Sequence, residues 1–279
     1  MHETLKALLD HVGLVPLSEP KGMSGGDIAS VSRLETAQGS VVVKHDDAER
    51  LAGEADGLQA LREAGSSLYI PAVLAVGDGW LIMEALDASG SRRRDEVALG
   101  EGLRELHSVI GKQHGWSRDN ACGLTPQPNG PAGDGRVFQR ERRLVPMARA
   151  CHERGLLPAV LRERIERVAG GLENWLEDVP PSLIHGDLWS GNVLFTPEGP
   201  AVIDPAVYRH YPEVDLAMLT LFGSPGEAFF ESYWNGSGPD DWPRREALFQ
   251  LYPLLNHLLL FGGAYRGAVE RAVSRVEAG

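Results

Sequence analysis

The chain has 279 residues, of which 43% are hydrophobic and 24% are charged. This composition is ordinary for a folded globular protein and excludes a largely disordered chain. The formal charge of −12 disfavours nucleic acid as a partner, because a polyanion would be repelled over most of the surface. An acidic chain can still bind a nucleotide where a lysine and Mg²⁺ supply local positive charge.

The lack of a recognisable targeting signal and the two cysteines bear on the cellular compartment of the protein. The N-terminus has no apolar signal core, and no stretch approaches the roughly 18 continuous apolar residues of a membrane span. The two cysteines, Cys122 and Cys151, match no metal-ligand spacing and are expected to be reduced thiols. These features predict a cytoplasmic protein with no membrane partner.

The first 86 residues combine helical and strand patterns. Residues 3–12 and 49–63 repeat apolar side chains at helical spacing. Buried strands are predicted from three apolar runs, at 40–44, 71–76 and 80–84. We therefore predict a small, β-rich N-terminal lobe over residues 1–86.

Helical patterns dominate after residue 86. A polar link leads into six helix-rich segments, at 96–110, 138–154, 158–177, 213–222, 226–235 and 243–273. Two short apolar runs, at 182–185 and 201–204, are expected as buried strands around a turn. The sequence thus predicts an α+β chain of two lobes, with residues 87–279 forming the larger, mainly helical lobe.

One segment carries the residue types that phosphoryl transfer needs. Asp187 is followed five residues later by Asn192, and twelve residues after that by Asp204. A carboxylate can accept the proton of an attacking hydroxyl, while an amide oxygen and a second carboxylate are hard ligands for Mg²⁺. The protein-kinase pattern H-x-D-x-x-x-x-N, with an aspartate on the next strand, has this order and spacing. We predict a bilobal, protein-kinase-like fold with Asp187 as the catalytic base and Asn192 and Asp204 as Mg²⁺ ligands.

Each residue of this segment also has an ordinary structural explanation. Asp187 alone could cap a helix, Asn192 could serve a turn, and Asp204 could end a strand before a proline. His185 is expected to orient the loop through hydrogen bonds and not to react. The catalytic interpretation depends on the combination, together with a lysine and a glutamate upstream.

The N-terminal lobe offers candidate residues for the nucleotide phosphates. Lys44 ends the strand at 40–44 and can reach the phosphates of ATP, while a helix carboxylate holds it in place. Glu54 is the expected partner, with Glu49 as the alternative. The Gly25-Gly26 turn could cover the phosphates with its backbone N–H groups, although such turns are also common in hairpins.

The adenine edge has a candidate site where the last predicted strand leaves the lobe. The backbone of Met83, Glu84 and Leu86 would be placed to bond it, and an ordinary strand end is an equally good explanation. The sequence contains no G-x-x-x-x-G-K-[ST] motif and no G-x-G-x-x-G before a helix. Walker-type and Rossmann-type nucleotide sites are therefore disfavoured.

Three segments resemble the fructosamine/ketosamine kinase family, which belongs to the aminoglycoside-phosphotransferase-like branch of the protein-kinase-like fold. They are residues 185–193 (HGDLWSGNV), 203–208 (IDPAVY) and 213–218 (EVDLAM). The first Asp of each of the first two segments is shared by the whole branch, whereas the residues around them are more specific to ketosamine kinases. Further similar segments extend the match over nearly the whole chain, roughly residues 3–272.

The resemblance implies transfer of the γ-phosphate of ATP to the 3-hydroxyl of a ketosamine, with Mg²⁺ as cofactor. Phosphoketosamines break down and release the free amine, so the implied role is deglycation of amines or proteins. Trp189 and Glu213 are the implied contacts to the sugar or the amine, and simple packing is the alternative for Trp189. Some relatives carry a cysteine in the nucleotide loop that can form an intermolecular disulfide; this chain has none there, and we expect a monomer.

Two other functions remain open from the sequence. The first is a kinase of another small hydroxylated molecule, such as an aminoglycoside or choline, because the Mg²⁺-binding residues would be shared. The second is a nucleotide-binding module without activity. The presence of Lys44, Asp187, Asn192 and Asp204 together counts against the second.

Overall fold

A five-stranded antiparallel sheet forms the first part of the chain in the computed structural model, which describes residues 1–23, 29–90 and 92–278. Its strand order is β1-β2-β3-β5-β4. The strands are β1 (Lys21–Gly22), β2 (Ser30–Thr36), β3 (Gly39–His45), β4 (Val73–Gly77) and β5 (Trp80–Glu84). The side chain of Lys44 therefore starts from a central strand of the sheet.

Two helices accompany the sheet. Helix α1 (Glu3–His11) buries Leu5 and Leu9 in a core cluster with residues of β2, β3 and β5. Helix α2 (Ala48–Glu63) follows β3 and begins at Asp47, whose side chain accepts hydrogen bonds from two backbone amides of the first turn. Such a cap satisfies donors that have no partner within the helix. It also fixes where α2 starts, and with it the position of Glu54.

The remainder is mainly helical, as the sequence predicts. The helices are α3 (Arg92–His107), α4 (Gly135–Phe138), α5 (Val145–Glu153), α6 (Ala159–Gly170), α7 (Glu213–Leu219), α8 (Glu227–Trp234), α9 (Trp242–Phe261) and α10 (Arg266–Ala278). A π-helical turn, Gln139–Leu144, joins α4 to α5. The predicted boundary between the lobes, after residue 86, falls in the link between β5 and α3.

The predicted helix-rich segment 243–273 is made of two separate helices. Residues 243–273 contain two helices, because α9 ends at Gly262, which has a φ of 86°. This left-handed conformation favours glycine and cannot continue an α-helix. A short 3₁₀ turn, Gly263–Tyr265, then leads into α10. The break exposes the end of α9 to the cavity described below.

Three pairs of short strands lie among the helices. They are β6 (Asn120–Cys122) with β7 (Thr125–Gln127), β8 (Ser182–Ile184) with β11 (Tyr208–His210), and β9 (Val193–Thr196) with β10 (Gly199–Val202). The sequence predicts β8 and β10 but not the β6–β7 hairpin. The two lobes meet at β10, where the amide of Tyr69 donates to Pro200 O at 2.9 Å. The loop between β8 and β9 thus lies at the base of the cleft between the lobes.

Within the described ranges, no helix is both long enough and apolar enough to cross a membrane.

Candidate active site

The loop between β8 and β9 carries the predicted base and one predicted metal ligand. The side-chain nitrogen of Asn192 donates to the backbone oxygen of Asp187 at 2.9 Å. This bond closes the loop and uses the amide nitrogen, so the Asn192 Oδ1 atom is the one left for a cation. The structure therefore brings Asp187 and Asn192 together as their spacing predicts.

The start of the loop is held by His185 and Gly186. His185 is fully buried, and its Nε2 lies 2.9 Å from the backbone oxygen of Ile203, where an N–H donates to the carbonyl. Gly186 has a φ of 82°, and a Cβ there would lie 2.2 Å from the oxygen of Ala206. Only glycine fits this close approach without strain. The expectation that His185 orients the loop through hydrogen bonds agrees with these contacts.

Asp215 is a residue of the candidate site that the sequence reasoning missed. It is fully buried in α7, and its carboxylate accepts hydrogen bonds from the backbone amides of His185 at 2.7 Å and Gly186 at 2.8 Å. Its Oδ2 also lies 3.1 Å from Nε2 of His107. Burial alone would raise the pKa of Asp215. The hydrogen bonds from His107 and from the backbone amides outweigh burial and hold this pKa below its usual value. An ionised carboxylate thus fixes the catalytic loop from behind.

Asp204 and Lys44 meet across the cleft. Lys44 Nζ donates to Glu54 Oε1 at 2.6 Å and also contacts Asp204 Oδ1. Burial alone would lower the pKa of Lys44, but the two carboxylates outweigh it and raise the pKa above its usual value. Glu49 instead pairs with Arg118, so the structure favours Glu54 over the alternative. The lysine is thus charged and held between the two lobes.

The environment of Asp187 suits a group that accepts a proton. Burial, with a smaller contribution from the neighbouring charge of Asp204, raises its pKa to about 7. A general base works best when its pKa lies near the operating pH. Perturbed carboxyl groups in a cleft are also typical of functional sites.

These side chains share one cavity of about 610 Å³ between the lobes. Its lining includes Lys44, Glu54, Asp187, Asn192 and Asp204. A cavity of this size can hold a drug-sized or cofactor-sized molecule. The residues predicted from separate parts of the sequence therefore face one common space.

Trp189 also lines this cavity and is 38% exposed. Its indole ring lies over Gly191, where a Cβ would come within 2.2 Å of the ring. The ring therefore packs on the loop backbone and still presents surface to the cavity. Both explanations offered for Trp189, packing and ligand contact, fit this placement.

Asn192 and Asp204 are suitable ligands for Mg²⁺. Mg²⁺ is commonly held by one or two protein oxygens and completed by phosphate oxygens and water. The described residues contain no group of three or more His, Cys, Asp and Glu side chains arranged for a metal ion. A metal at Asn192 and Asp204 would therefore take its remaining ligands from a bound nucleotide and from water.

A family model described as fructosamine kinase matches residues 1–278. The chain belongs to the fructosamine kinase family. A probable ketoamine kinase of Synechocystis sp. is 32% identical over 272 residues, covering 93% of this chain and 90% of that protein. The protein-ribulosamine 3-kinase, chloroplastic, of Arabidopsis thaliana is 33% identical over 261 residues, covering 88% of this chain and 78% of that protein.

Solved structures agree with this assignment to the fructosamine kinase family. A candidate fructosamine-3-kinase from Thermobifida fusca superposes with a TM-score of 0.92 at 29% identity, covering 99% of both chains. The ADP-bound aminoglycoside phosphotransferase APH(2'')-Ib superposes with a TM-score of 0.61 at 18% identity, covering 98% of this chain and 96% of that one. This second likeness shows the fold alone. The chain is a phosphotransferase with a kinase-like, two-lobed fold, and membership of a kinase family implies ATP as phosphate donor.

Some predicted site residues of this fructosamine kinase family member lie elsewhere. Glu213, predicted as a substrate contact, forms an ion pair with Arg245 and is not among the residues that line the cavity. A substrate contact by Glu213 stays a prediction, and in the structure its carboxylate pairs with Arg245. Gly25 and Gly26 lie outside the described residues.

The predicted adenine contacts lie at the end of β5, beyond the lining of the cavity. Met83 is buried, and the Glu84 carboxylate accepts hydrogen bonds from the Tyr69 hydroxyl and from the amide of Ala72. The Glu84 amide donates to the oxygen of Ala72 at 2.9 Å. The Glu84 amide is therefore already paired, and an adenine edge would have to meet other backbone groups of residues 83–86.

Proposed function

We propose that this chain transfers the γ-phosphate of ATP to the 3-hydroxyl of a ketosamine, such as a fructosamine or ribulosamine adduct of an amine. The observation that carries the proposal is the meeting of Lys44, Asp187, Asn192 and Asp204 in one cavity. The names of the relatives, ketoamine kinase and protein-ribulosamine 3-kinase, support the acceptor class.

The side chains suggest a division of roles. Asp187 accepts the proton of the acceptor hydroxyl as oxygen attacks phosphorus, for which a pKa of about 7 is well placed. Lys44 binds the nucleotide phosphates, and Glu54 holds Lys44 in position. Asn192 and Asp204 would hold Mg²⁺, which neutralises phosphate charge when it is bound.

The remaining nucleotide contacts are proposed from position. Backbone groups at Met83, Glu84 and Leu86 would meet the adenine edge at the link between the proposed lobes, 1–86 and 87–279. The Gly25-Gly26 turn would cover the phosphates. A monomeric state and a cytoplasmic location stay predictions.

A direct assay tests this proposal. The protein, ATP and Mg²⁺ are incubated with ribulosyl-lysine and fructosyl-lysine, and products are followed by mass spectrometry and ³¹P NMR. We expect a product heavier by one phosphate and esterified at O3. Choline and an aminoglycoside are included as the competing acceptors. Turnover of either of these, with none of the ketosamines, would replace the proposed function by the other small-molecule kinase.

A further inference from the structure

Helix α2 packs closely against the start of β6 and against the segment between β10 and β11. A Cβ at Gly57 would lie 3.1 Å from Val207 Cγ2 and 3.2 Å from Pro205 Cγ, and a Cβ at Gly53 would lie 3.2 Å from Asn120 Cβ. Carbon atoms ordinarily pack at about 3.5–4 Å, so larger residues at these two positions would push the helix away. The two glycines are four residues apart and therefore share one face of α2.

Polar contacts reinforce this packing. Asp56 lies on the same face of α2, and its Oδ2 accepts a hydrogen bond of 2.6 Å from Trp116 Nε1. Arg118 Nη1 donates to the backbone oxygen of Ala52 at 3.2 Å. Arg118 also pairs with Glu49, but such an exposed ion pair contributes little. We call the close packing at the two glycines together with the contacts to Asp56 and Ala52 the α2 seam.

Trp116 is held firmly on its own side of the α2 seam. Its backbone amide donates to the oxygen of Asn129 at 2.9 Å, and Gly115 exchanges two backbone hydrogen bonds of 2.9 Å with Arg209. The Arg209 guanidinium lies 5.8 Å from the centroid of the Trp116 ring. The ring also packs against both of the large core clusters. Trp116 is therefore a fixed point to which α2 is attached.

The α2 seam lies directly behind the carboxylates that hold Lys44. Glu54, which accepts a hydrogen bond of 2.6 Å from Lys44 Nζ, precedes Asp56 by two residues on the same helix. Asp204 also contacts Lys44, and the next residue, Pro205, is one of those that pack against α2. Because neighbouring residues of a helix move together, a displacement of Asp56 would displace Glu54 as well.

In protein kinases the corresponding lysine–glutamate ion pair depends on the placement of the helix that carries the glutamate. We propose that Trp116 and Asp56 are positioning residues for phosphoryl transfer, because their hydrogen bond fixes α2 to the helical part of the chain and so holds Glu54 against Lys44 before a nucleotide binds. This inference rests on the proposed roles of Lys44 and Glu54 toward ATP. Neither Trp116 nor Asp56 needs to touch the nucleotide.

Trp116→Phe tests the inference, because it keeps an aromatic ring and removes the indole N–H. Binding of MgATP without any acceptor is measured by isothermal titration calorimetry. We expect the dissociation constant to rise about 3- to 10-fold, since Lys44 is held less firmly. Trp80→Phe is the matched control: it removes an indole N–H that donates to Thr4 Oγ1 at 2.9 Å, on α1. This control should bind MgATP within about twofold of the unmodified protein.

Repeating the substitution in a Glu54→Gln background shows whether Trp116 acts through Glu54. Residues that act through one another have non-additive effects, so Trp116→Phe should change the dissociation constant by less than about twofold there. Asp56→Ala removes the acceptor of the same hydrogen bond and gives a second test from α2, independent of how well Trp116→Phe folds. It should weaken MgATP binding to a similar extent, and again only when Glu54 is present. Urea denaturation of each variant separates loss of affinity from loss of stability.

The outcomes distinguish this inference from the proposed function. An unchanged dissociation constant in both Trp116→Phe and Asp56→Ala, or an equal loss with and without Glu54, overturns the positioning role. A Glu54→Gln variant that binds MgATP as the unmodified protein does, or an unmodified protein that does not bind it, overturns the proposed nucleotide site and the inference with it. The expected affinities together with turnover of choline and of no ketosamine would support the α2 seam and contradict only the proposed acceptor.

Discussion

The carboxylate of Asp215 accepts a hydrogen bond of 2.7 Å from the backbone amide of His185, so a buried charge on α7 holds the first residue of the catalytic loop. The other carboxylate oxygen accepts the amide of Gly186 at 2.8 Å. The His185 donor would have no water to bond to if Asp215 were removed, since His185 and Asp215 are both fully buried. The direction in which Asp187 leaves the loop therefore depends on a residue that does not itself meet the cavity.

Asp215→Asn should damage both stability and catalysis. The amide is the same size, but it carries no charge, and one of the two backbone donors would face its NH₂ group instead of an acceptor oxygen. Hydrogen bonds to charged groups contribute about 1.5–3 kcal/mol each, so we expect a loss of about 2–4 kcal/mol in the free energy of unfolding. Urea denaturation and kcat measure the two effects. The exposed Asp240→Asn is the control, and equal stability of the two variants would contradict the assigned role.

Glu54→Gln should lower kcat/KM for ATP by about tenfold or more, because Lys44 loses the negative charge that holds it at 2.6 Å. Glu49→Gln is a closely matched comparison, since Glu49 lies on the same helix and pairs with Arg118 at the surface. Removal of an exposed pair costs little, so this second variant should keep kcat/KM within about twofold. Equal losses in the two variants would mean that the Lys44–Glu54 contact is not used in catalysis.

Gly186→Ala should reduce kcat and stability together, since a Cβ at this position would lie 2.2 Å from Ala206 O at a φ of 82°. A left-handed conformation alone costs a non-glycine residue about 1 kcal/mol or more, and the clash adds to it. Gly170→Ala is the control, because a Cβ there has no neighbour within 4 Å and α6 favours alanine. It should raise the melting temperature slightly. A Gly186→Ala variant with normal kcat would show that the loop has room to move.

Acid should destabilise the protein through two buried histidines. His114 Nδ1 lies 2.9 Å from His210 Nδ1, and His210 Nε2 lies 3.0 Å from Gln139 Oε1. Burial lowers the pKa of His114, and burial with the neighbouring charge of His114 lowers the pKa of His210 well below its usual value. The unfolded chain binds protons from about pH 6.5 downward, whereas the folded protein does not. This stabilising contribution is therefore complete above about pH 6.5 and is lost as the pH falls.

We expect the free energy of unfolding to fall below pH 6.5 by up to about 1.4 kcal/mol per pH unit for each of these histidines. Urea denaturation between about pH 5 and 8 gives the slope. His210→Asn, although less stable at every pH, should show a shallower dependence in this window. The same slope in both proteins would exclude His210 as a source of the acid sensitivity.

The placement of the candidate catalytic residues was predictable because they lie close together in the sequence. Asp187 and Asn192 lie in the loop between β8 and β9, and Asp204 follows the next strand, β10, so their spacing brings them together. Lys44 and Glu54 were also predictable, since a strand end and the next helix place them near each other. These predictions needed only the period of the apolar residues and the known needs of phosphoryl transfer.

Contacts between distant segments could not be predicted in this way. Glu213 looked suitable as a ligand for an amine, but its partner Arg245 comes from α9 and is visible only once the helices pack. Asp215, two residues further on, has apolar neighbours in sequence that indicate burial, yet its partners lie in the catalytic loop. The break at Gly262 was likewise not predicted, because the sequence indicated only a helix-rich segment at 243–273.

Asp187→Asn tests the central claim most directly, because it keeps the shape of the side chain and removes only its ability to accept the proton. We predict that kcat with MgATP and a ribulosamine falls about 10²- to 10⁴-fold, while the dissociation constant for ATP stays within about twofold. Asp240→Asn, at an exposed position, should behave as the unmodified protein. A kcat for Asp187→Asn equal to that of the unmodified protein would contradict the assignment of Asp187 as the catalytic base.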